Sequence, residues 1–400
     1  MKSFLFLLTM VCVLVSVSLL SAADKASPSN PPPIYVMTND DGTLHNYSSF
    51  FVAGVSQGQP TLTVLSGVNT QGTGIGGGFF GTNRVTMPPS STAQCEYVSD
   101  ANSGDIAAIN IQTQQLVGNF MGSSNDIGTS NGIGMAMNQN YLYAGYTLSN
   151  TIATFSVGAG CQLAFLGDIT VTPLNGGYID GMALNGNILV VTYIDGSIQS
   201  FNTSNGIPIS NNDEQNATGY AAGPYFANGV DITQDGHFAI FGDTATATVV
   251  EVSDLSSGKL APTVMFVIPQ QPSNTIGPAI SSSTVRLSPD ESLLYIANSQ
   301  LPYVTAAFFN KTTGKVSAGC TSPTLNLFYN PWSYIGSLAT RDTTGTGNVL
   351  YAAEFGSDIA ILNVSSTGTS CTLTESPSSP VSDELSPGLI SIQVFPPRPF

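Results

Sequence analysis

Charged side chains are scarce in this chain. Asp, Glu, Lys and Arg make up 8% of its 400 residues, against about 25% in ordinary soluble domains. Only nine residues are Lys or Arg, and the formal net charge is −16. Nucleic acids and anionic membranes bind basic patches. Nine cations in 400 residues cannot build such a patch, so neither partner is expected.

Histidine is rarer still. We predict that His45 lies on a strand and that His237 lies beside a turn at residues 234–236, far apart in the fold. A zinc or haem centre built on several histidines is therefore excluded, and we expect no metal and no cofactor. The chain also lacks the G-x-S-x-G elbow of serine hydrolases.

Helical periodicity is almost absent. Short apolar or alternating runs bounded by Gly, Asn, Asp and Ser recur along the chain, which is typical of many short strands. The low charge does not indicate disorder, because 42% of the residues are hydrophobic and 20 of them are Phe. The sequence predicts an all-β protein.

The first 23 residues have the features of a signal peptide. They contain one Lys, a continuous apolar run, and the small residues Ser21 and Ala23 at the spacing that a signal peptidase needs. We predict cleavage near Ala23, a Pro- and Ser-rich linker at 24–33, and a single domain at 34–400. The mature protein is then secreted or periplasmic and has no membrane span; an uncleaved anchor is the alternative.

Removal of the signal peptide removes Cys12 and leaves four cysteines. An even number in an oxidising compartment suits two disulfides. Of the three connectivities we favour Cys95 with Cys161 and Cys320 with Cys371, because each pair lies about one repeat apart. Four buried free thiols are the alternative.

A phrase of four strands recurs about every fifty residues. In its clearest copy, TVRLS is an inner strand, PDES a turn, LLYIAN a second strand and YVTAAFF a third strand. The second-strand markers, 46 to 62 residues apart, are Tyr35, Tyr97, Tyr143, Val191, Ile240, Tyr295 and Tyr351. Seven copies, each a blade of four antiparallel strands, predict a seven-bladed β-propeller.

The first copy lacks its inner strand. Near the C-terminus, residues 388–395 read GLISIQVF, a strand with no blade of its own. We predict that this C-terminal strand joins the first blade and closes the ring, which also removes two exposed sheet edges.

Several repeat phrases resemble those of a known group. The clearest are LSPDESLLYIANS, EYVSDANSGDIAAINIQTQQLVG and LYAAEFGSDIAILNV. They are similar to the repeats of secreted seven-bladed propellers of the YVTN-repeat and lactonase-like group, which includes phosphogluconolactonase-type and carboxymuconate-cyclase-type proteins. The resemblance covers nearly the whole mature chain and implies the same fold. Propellers of this group serve as enzymes, binding proteins and scaffolds alike.

Short polar residues precede several inner strands, on the face where propellers usually bind ligands. They are Asn83, Asn131, Asp180 and Asn228. Such a ring at the channel mouth is able to bind a small polar ligand or a hydrated cation. Asn and Asp also favour tight turns, above all before glycine, and this turn interpretation is the alternative.

Two inner strands carry a charge where other copies have small residues. Asp231 and Arg286 belong to neighbouring blades, so we predict that they pair across the blade interface near the channel. An unpaired charge at that depth is costly. In the catalytic alternative, Arg286 and Arg84 bind a substrate carboxylate while Asp231 or Asp180 moves a proton.

Carboxylates also follow the second strands. They are Asp40, Asp41, Asp100, Asp195, Asp243 and Glu354. We interpret them as solvated turn acids, with a calcium site as the alternative.

Residues 72–77 read GTGIGG and match the G-x-G-x-x-G string of dinucleotide-binding loops. That motif works where its glycines lead into a helix. The following sequence predicts strand and loop, so we expect a loop between blades.

The sequence therefore predicts a secreted, monomeric binding or scaffold module for a small polar molecule, a glycan or a protein. The alternative, implied by the resemblance, is an enzyme acting on a lactone or an unsaturated carboxylic acid. Five N-glycosylation sequons begin at Asn46, Asn202, Asn216, Asn310 and Asn363.

Overall fold

The computed structural model describes most of the chain beyond its N-terminal segment. The described residues are 33–76, 83–90, 92–123, 132–216, 227–243, 248–268, 282–298, 302–326, 335–343, 347–354, 356–383 and 391–397. Ile34–Phe400 forms one compact unit. The predicted signal peptide and residues 24–32 of the predicted linker lie outside the described residues. None of the helices in the described part has the length and apolarity needed to cross a bilayer.

Seven antiparallel sheets follow one another along the chain. Blade 1 contains β1 (Ile34–Asn39), β2 (Tyr47–Ser56) and β3 (Gln59–Asn69). Blade 2 contains β4 (Val85–Thr86), β5 (Cys95–Asp100), β6 (Asp105–Asn110) and β7 (Gln115–Met121). Blade 3 contains β8 (Ile133–Met137), β9 (Tyr141–Tyr146), β10 (Thr151–Val157) and β11 (Leu163–Thr170). Blade 4 contains β12 (Ile179–Asn185), β13 (Ile188–Tyr193), β14 (Ser197–Asn202), β15 (Ile209–Ser210) and β16 (Gln215–Asn216).

The last three blades repeat this order. Blade 5 contains β17 (Ala227–Ile232), β18 (Phe238–Asp243), β19 (Thr248–Asp254) and β20 (Val264–Ile268). Blade 6 contains β21 (Ser282–Leu287), β22 (Leu293–Asn298), β23 (Val304–Asn310) and β24 (Lys315–Thr321). Blade 7 contains β25 (Ile335–Thr343), β26 (Gly347–Glu354), β27 (Asp358–Ser366), β28 (Cys371–Glu375) and β29 (Val381–Ser382).

The C-terminal strand closes the ring as predicted. Strand β30 (Ser391–Phe395) is antiparallel to β1, with Tyr35 opposite Phe395 and Asn39 opposite Ser391. Blade 1 therefore takes its inner strand from the far end of the chain. The seven-bladed, four-stranded architecture is confirmed.

Burial explains why the middle strands read as continuous apolar runs. All six residues of β5 are buried, because blades pack against both of its faces. The outermost strand β7 alternates exposed and half-buried residues, since only one of its faces is covered. The second-strand tyrosines Tyr97, Tyr143 and Tyr351 are fully buried between blades.

Both predicted disulfides are present. Cys95 bonds Cys161 and joins blades 2 and 3, and Cys320 bonds Cys371 and joins blades 6 and 7. Their partners are 66 and 51 residues apart in sequence. Loops of that length imply about 4 kcal/mol of stabilisation each in the chain-entropy account. The bonds thus fasten neighbouring blades to each other.

His45 differs from its prediction. It is exposed in the turn before β2, which begins two residues later at Tyr47. The turn is fixed by Asn46, whose Oδ1 accepts hydrogen bonds from the amides of Gly42 and Tyr47. His237 is an exposed turn residue as predicted, with Nδ1 at 3.3 Å from Asp235 Oδ2.

Candidate ligand site in the central channel

The inner strands surround a small cavity of about 60 Å³. Blades 2 to 6 and the segment around β30 contribute its lining. Four methionines form much of the apolar wall, and they are Met87, Met135, Met137 and Met182. The polar side of the lining includes Asn83, Thr86, Asp231, Arg286 and Gln393. A volume of this size suits a few waters or a small polar group.

Asn83 crosses the channel. Its φ of 59° lies in the left-handed region, which Asn tolerates better than most residues. Its carbonyl accepts a hydrogen bond from Met135 N at 3.1 Å, and its Nδ2 donates to Met182 O at 3.0 Å. Its Oδ1 accepts from Arg286 Nη2 at 3.1 Å. One residue of blade 2 thus bonds to blades 3, 4 and 6.

Arg286 reaches the cavity from blade 6. Its side chain is half-buried, and its Nε donates to Leu338 O of blade 7 at 3.3 Å. The guanidinium is therefore held between blade 7 on one side and Asn83 on the other. A planar group with five donors, fixed at two of them, suits the recognition of a carboxylate or a phosphate.

Asp231 lies on the same cavity and is buried. Its Oδ1 accepts from Ile232 N and its Oδ2 from Leu287 N, both at 2.9 Å. Leu287 directly follows Arg286, so Asp231 crosses the boundary between blades 5 and 6 beside that arginine. The structure brings Asp231 and Arg286 to one cavity, and their ion pair stays a prediction.

The structure does not place the other three predicted rim residues in the described cavity lining. Asp180 is fully buried at the start of β12 and is not part of the described cavity lining. Asn131 lies outside the described residues, and for Asn228 the structure describes the backbone in β17 but not the side chain. Asn83 is therefore the rim residue whose side chain the structure places in the channel.

Arg84 is in a different place from Arg286. Its side chain is 2% exposed, and its Nη1 lies 3.2 Å from Asp41 Oδ2. Its backbone amide donates to Ser391 Oγ of β30 at 3.1 Å, and its carbonyl accepts from Asn39 Nδ2. These contacts hold blades 1 and 2 together around the closing strand. The described cavity lining includes Arg286 but not Arg84.

The glycine-rich string has a packing role beside Arg84. A Cβ on Gly72 would lie 2.3 Å from Asp100 Cγ, and one on Gly74 would lie 2.3 Å from the backbone of Asp41. Only glycine lets the loop approach these two buried carboxylates so closely. The described residues that follow begin at Asn83 and continue into β4, which agrees with an inter-blade loop.

The prediction of solvated turn acids at the second-strand exits is wrong for four of the six. Asp40, Asp41, Asp100 and Glu354 are fully buried. Side-chain donors compensate for the lost water: Asp100 Oδ1 accepts from Asn46 Nδ2 and Thr70 Oγ1 at 2.8 and 2.7 Å.

Two further exit acids complete the set. Asp195 organises a turn, accepting from Ser197 and from the amides of Asn175 and Gly177. For Asp243 the side chain is not described.

Burial changes the protonation of several acids. It raises the pKa of Asp100 to about 8, with the neighbouring charge of Asp105 adding to the effect. Burial and the charge of Asp383 raise the pKa of Asp40 well above its usual range. Among the described residues, no three His, Cys, Asp or Glu side chains are placed to hold a metal ion.

Sequence reasoning missed the cross-channel role of Asn83, although a signal existed. Asn131, Asp180 and Asn228 are each followed by glycine, as a tight turn prefers, whereas Asn83 is followed by Arg84. The turn interpretation therefore had its weakest support at Asn83, whose side chain bonds across the channel to Met182 and Arg286.

Comparisons with known proteins find similar folds among solved structures. No family model matches the chain, and no curated protein sequence matches it. A solved structure from Bacteroides uniformis, provisionally named 6-phosphogluconolactonase, is 13% identical over 91% of this chain and 100% of its own, with a TM-score of 0.66. A similarly named protein from Bacteroides fragilis is 14% identical over 92% and 99%, with a TM-score of 0.65. A protein from Lactobacillus plantarum is 12% identical over 90% and 99%, with a TM-score of 0.61.

These similarities confirm the expected lactonase-like propeller at the level of the fold. Identities this low carry no residue roles from one chain to another. The function must therefore be argued from the cavity itself.

Proposed function

We propose that this chain is a secreted propeller that binds a small carboxylate-bearing ligand in its central cavity through Arg286. The observation that carries the proposal is the 3.1 Å contact between Arg286 Nη2 and Asn83 Oδ1 across the channel. In it, a neutral amide oxygen lies where an oxygen of a bound carboxylate would lie beside the guanidinium. The predicted leader and the two disulfides support export to an oxidising compartment.

Ligand binding would exchange one acceptor for a stronger one. A hydrogen bond between a guanidinium and a carboxylate carries charge on both partners and is often bidentate, which adds energy and geometric specificity. A carboxylate entering the cavity would displace Asn83 Oδ1 and leave the Arg286 bond to Leu338 in place. The methionines of the wall can adjust around the ligand, because their unbranched side chains repack easily.

The size of the cavity limits the ligand. Sites for drug-sized molecules measure about 300–1,000 Å³, whereas this cavity measures about 60 Å³. A phosphorylated sugar lactone would not fit without rearrangement of the blades. A compact organic acid suits the space and the single arginine of the described lining.

An enzyme of the lactonase type is the second candidate. The solved structures provisionally named 6-phosphogluconolactonase favour it, and Asp231 would be its proton-transferring group. Both carboxylate oxygens of Asp231 already accept backbone hydrogen bonds, which hold the side chain in a structural position. Binding is therefore the better-supported function.

Calorimetric titration with a panel of small mono- and dicarboxylates tests the binding proposal. Replacement of the charged member of a buried hydrogen-bonded pair costs about 2 kcal/mol or more, so Arg286→Gln should weaken binding roughly 30-fold or more. Lys259→Gln is the charge-matched control, since Lys259 is exposed in a turn of blade 5. Equal affinity in the wild type and Arg286→Gln would contradict the proposal.

Product analysis with small lactones and muconate-type acids separates the two candidates. Under the binding proposal the wild type gives no turnover. Turnover by the wild type that Asp231→Asn abolishes, at matched folding, would establish the enzyme instead.

A further inference from the structure

The five sequons differ in the state of the side-chain amide nitrogen. An N-linked glycan is attached to Asn Nδ2 and needs that atom to be accessible. The contacts of Nδ2 in the folded protein therefore decide which of four sequons are compatible with a glycan; the fifth, at Asn216, extends into residues that the structure does not describe.

Two sequons use Nδ2 for structure. Asn46 is fully buried, and its Nδ2 donates to Asn39 Oδ1 at 3.0 Å and to Asp100 Oδ1 at 2.8 Å. A glycan there would displace the donors of a buried carboxylate and has no route to solvent. Asn363 is half-buried, and its Nδ2 donates to Gln59 Oε1 of blade 1 at 2.8 Å.

Asn202 and Asn310 have the opposite arrangement. Both are exposed, and each uses Oδ1 to accept backbone amides, from Ser204 at 2.8 Å in one case and from Thr312 at 3.0 Å in the other. Within the described residues, neither Nδ2 donates a hydrogen bond. The oxygen fixes the turn, and the exposed side chain leaves the nitrogen without a structural role there.

Both residues end a third strand at the same edge of the ring. Asn202 lies opposite Ile188, which itself lies opposite Asn185 at the end of the inner strand β12. Asn310 ends β23 near Leu293 in the same way. This edge is opposite the one where Asn83 enters the channel, because Asn83 precedes its inner strand. Glycans at this edge would leave the channel mouth uncovered.

Space for an added sugar is present beside Asn310. An open groove of about 490 Å³ borders it and is lined in part by Phe308, Lys311 and Lys315. The half-buried Phe308 ring offers an apolar face, and the lysines offer donors to sugar hydroxyls. The proximal sugars of a glycan would have contacts on the protein surface there.

We infer that Asn202 and Asn310 carry N-linked glycans in the exported protein and that Asn46 and Asn363 carry none. In the transfer, Nδ2 forms a bond to the anomeric carbon of an oligosaccharide carried on a lipid diphosphate. The bond from that carbon to the diphosphate breaks, the lipid diphosphate leaves, and the amide gives up one proton to a base of the transferase.

Peptide mapping of the secreted full chain tests this assignment. The chain is expressed with its own leader in a eukaryotic secretory host, and an amidase that converts each glycosylated Asn to Asp marks the occupied sites. We expect Asp at positions 202 and 310 and unchanged Asn at positions 46 and 363. Retention of the chain inside the cell, unmodified Asn202 and Asn310, or an occupied Asn46 in folded protein would each overturn the assignment.

Sequon variants supply the matched control. Ser204→Ala and Thr312→Ala should each remove one glycan from the intact mass, since both side chains are exposed and make no hydrogen bonds with described residues. Thr312→Ser keeps the hydroxyl that the sequon requires and should retain the glycan. An unchanged glycan mass in Thr312→Ala would overturn the assignment at Asn310.

Discussion

Two arginines of the described structure differ in their surroundings. Arg84 lies at the boundary between blades 1 and 2, and Arg286 lies in the lining of the central cavity. Arg84 is 2% exposed and lies beside the buried Asp41, under a loop that only glycine can form. Arg286 is half-buried, and its Nη2 contacts a neutral amide oxygen. In a chain with nine Lys and Arg, Arg84 supports a blade boundary through a buried carboxylate, whereas Arg286 lines the central cavity beside the Asn83 amide.

Replacing each arginine by leucine is the strongest test of this comparison. Arg84→Leu removes the cation 3.2 Å from Asp41 Oδ2 in a fully buried site, which should lower the free energy of unfolding by about 3–5 kcal/mol. Arg286→Leu loses hydrogen bonds at a half-buried site and should cost about 1–2 kcal/mol. Chemical denaturation of both variants measures the difference. Equal losses would show that Arg286 is as structural as Arg84.

The pH dependence of stability tests the buried acids of the first region. Burial raises the pKa of Glu96 to about 8 from an ordinary 4.5, and that of Asp100 to about 8 from 3.8. The folded state therefore holds protons that the unfolded state has already released between about pH 4 and pH 8. The contribution of these two groups to the free energy of unfolding should be greatest below about pH 4. It should fall by a few kcal/mol as the pH rises to about 8 and change little above that.

Amide variants separate this effect from other titrations. Glu96→Gln and Asp100→Asn keep the acceptor oxygens used by Ser48 and Asn46 but cannot ionise. Denaturation curves from pH 4 to pH 9 should flatten in both variants. A slope as steep as that of the wild type would show that these carboxyls do not titrate with raised pKa values.

Gly72→Ala tests the loop that covers the acids. The new Cβ would meet Asp100 Cγ at 2.3 Å, so loop and carboxylate must move apart. Overpacking of this kind costs about 1–3 kcal/mol. Gly118→Ala is the matched control, because the nearest atom to its new Cβ would lie at 3.7 Å. Gly58→Ala would not serve, since Gly58 has a positive φ and alanine there would add backbone strain. Similar thermal midpoints for the two variants would contradict the close approach.

The comparison also shows what the sequence can and cannot predict. The tyrosine markers, the ring closure by β30 and both disulfides follow from local patterns repeated along the chain, and all three predictions are confirmed. The burial of Asp100 depends instead on donors from blade 1, Asn46 and Thr70, which are 54 and 30 residues away in sequence. A periodic pattern places strands, but it does not show which polar side chains of neighbouring blades meet.

Asn83→Gly gives the smallest expected change in stability and the sharpest test of the cavity. The variant loses two hydrogen bonds, from Nδ2 to Met182 O and from Arg286 to Oδ1, each contributing about 1 kcal/mol. Glycine offsets part of this loss, because it adopts the left-handed φ of 59° without backbone strain. The net loss should be about 1 kcal/mol. Carboxylate affinity should rise about 3- to 10-fold, because the ligand no longer competes with Oδ1 for Arg286.

Asn150→Gly is the control for Asn83→Gly. Asn150 also has a left-handed φ, of 50°, and its side chain makes two hydrogen bonds, with Gly177 O and Ile179 N, away from the cavity lining. It should lose a similar amount of stability with no change in carboxylate affinity. If calorimetric titration shows the same affinity change in both variants, or none in Asn83→Gly, then Asn83 does not occupy the anion's place beside Arg286, and the cavity is as structural as the boundary around Arg84.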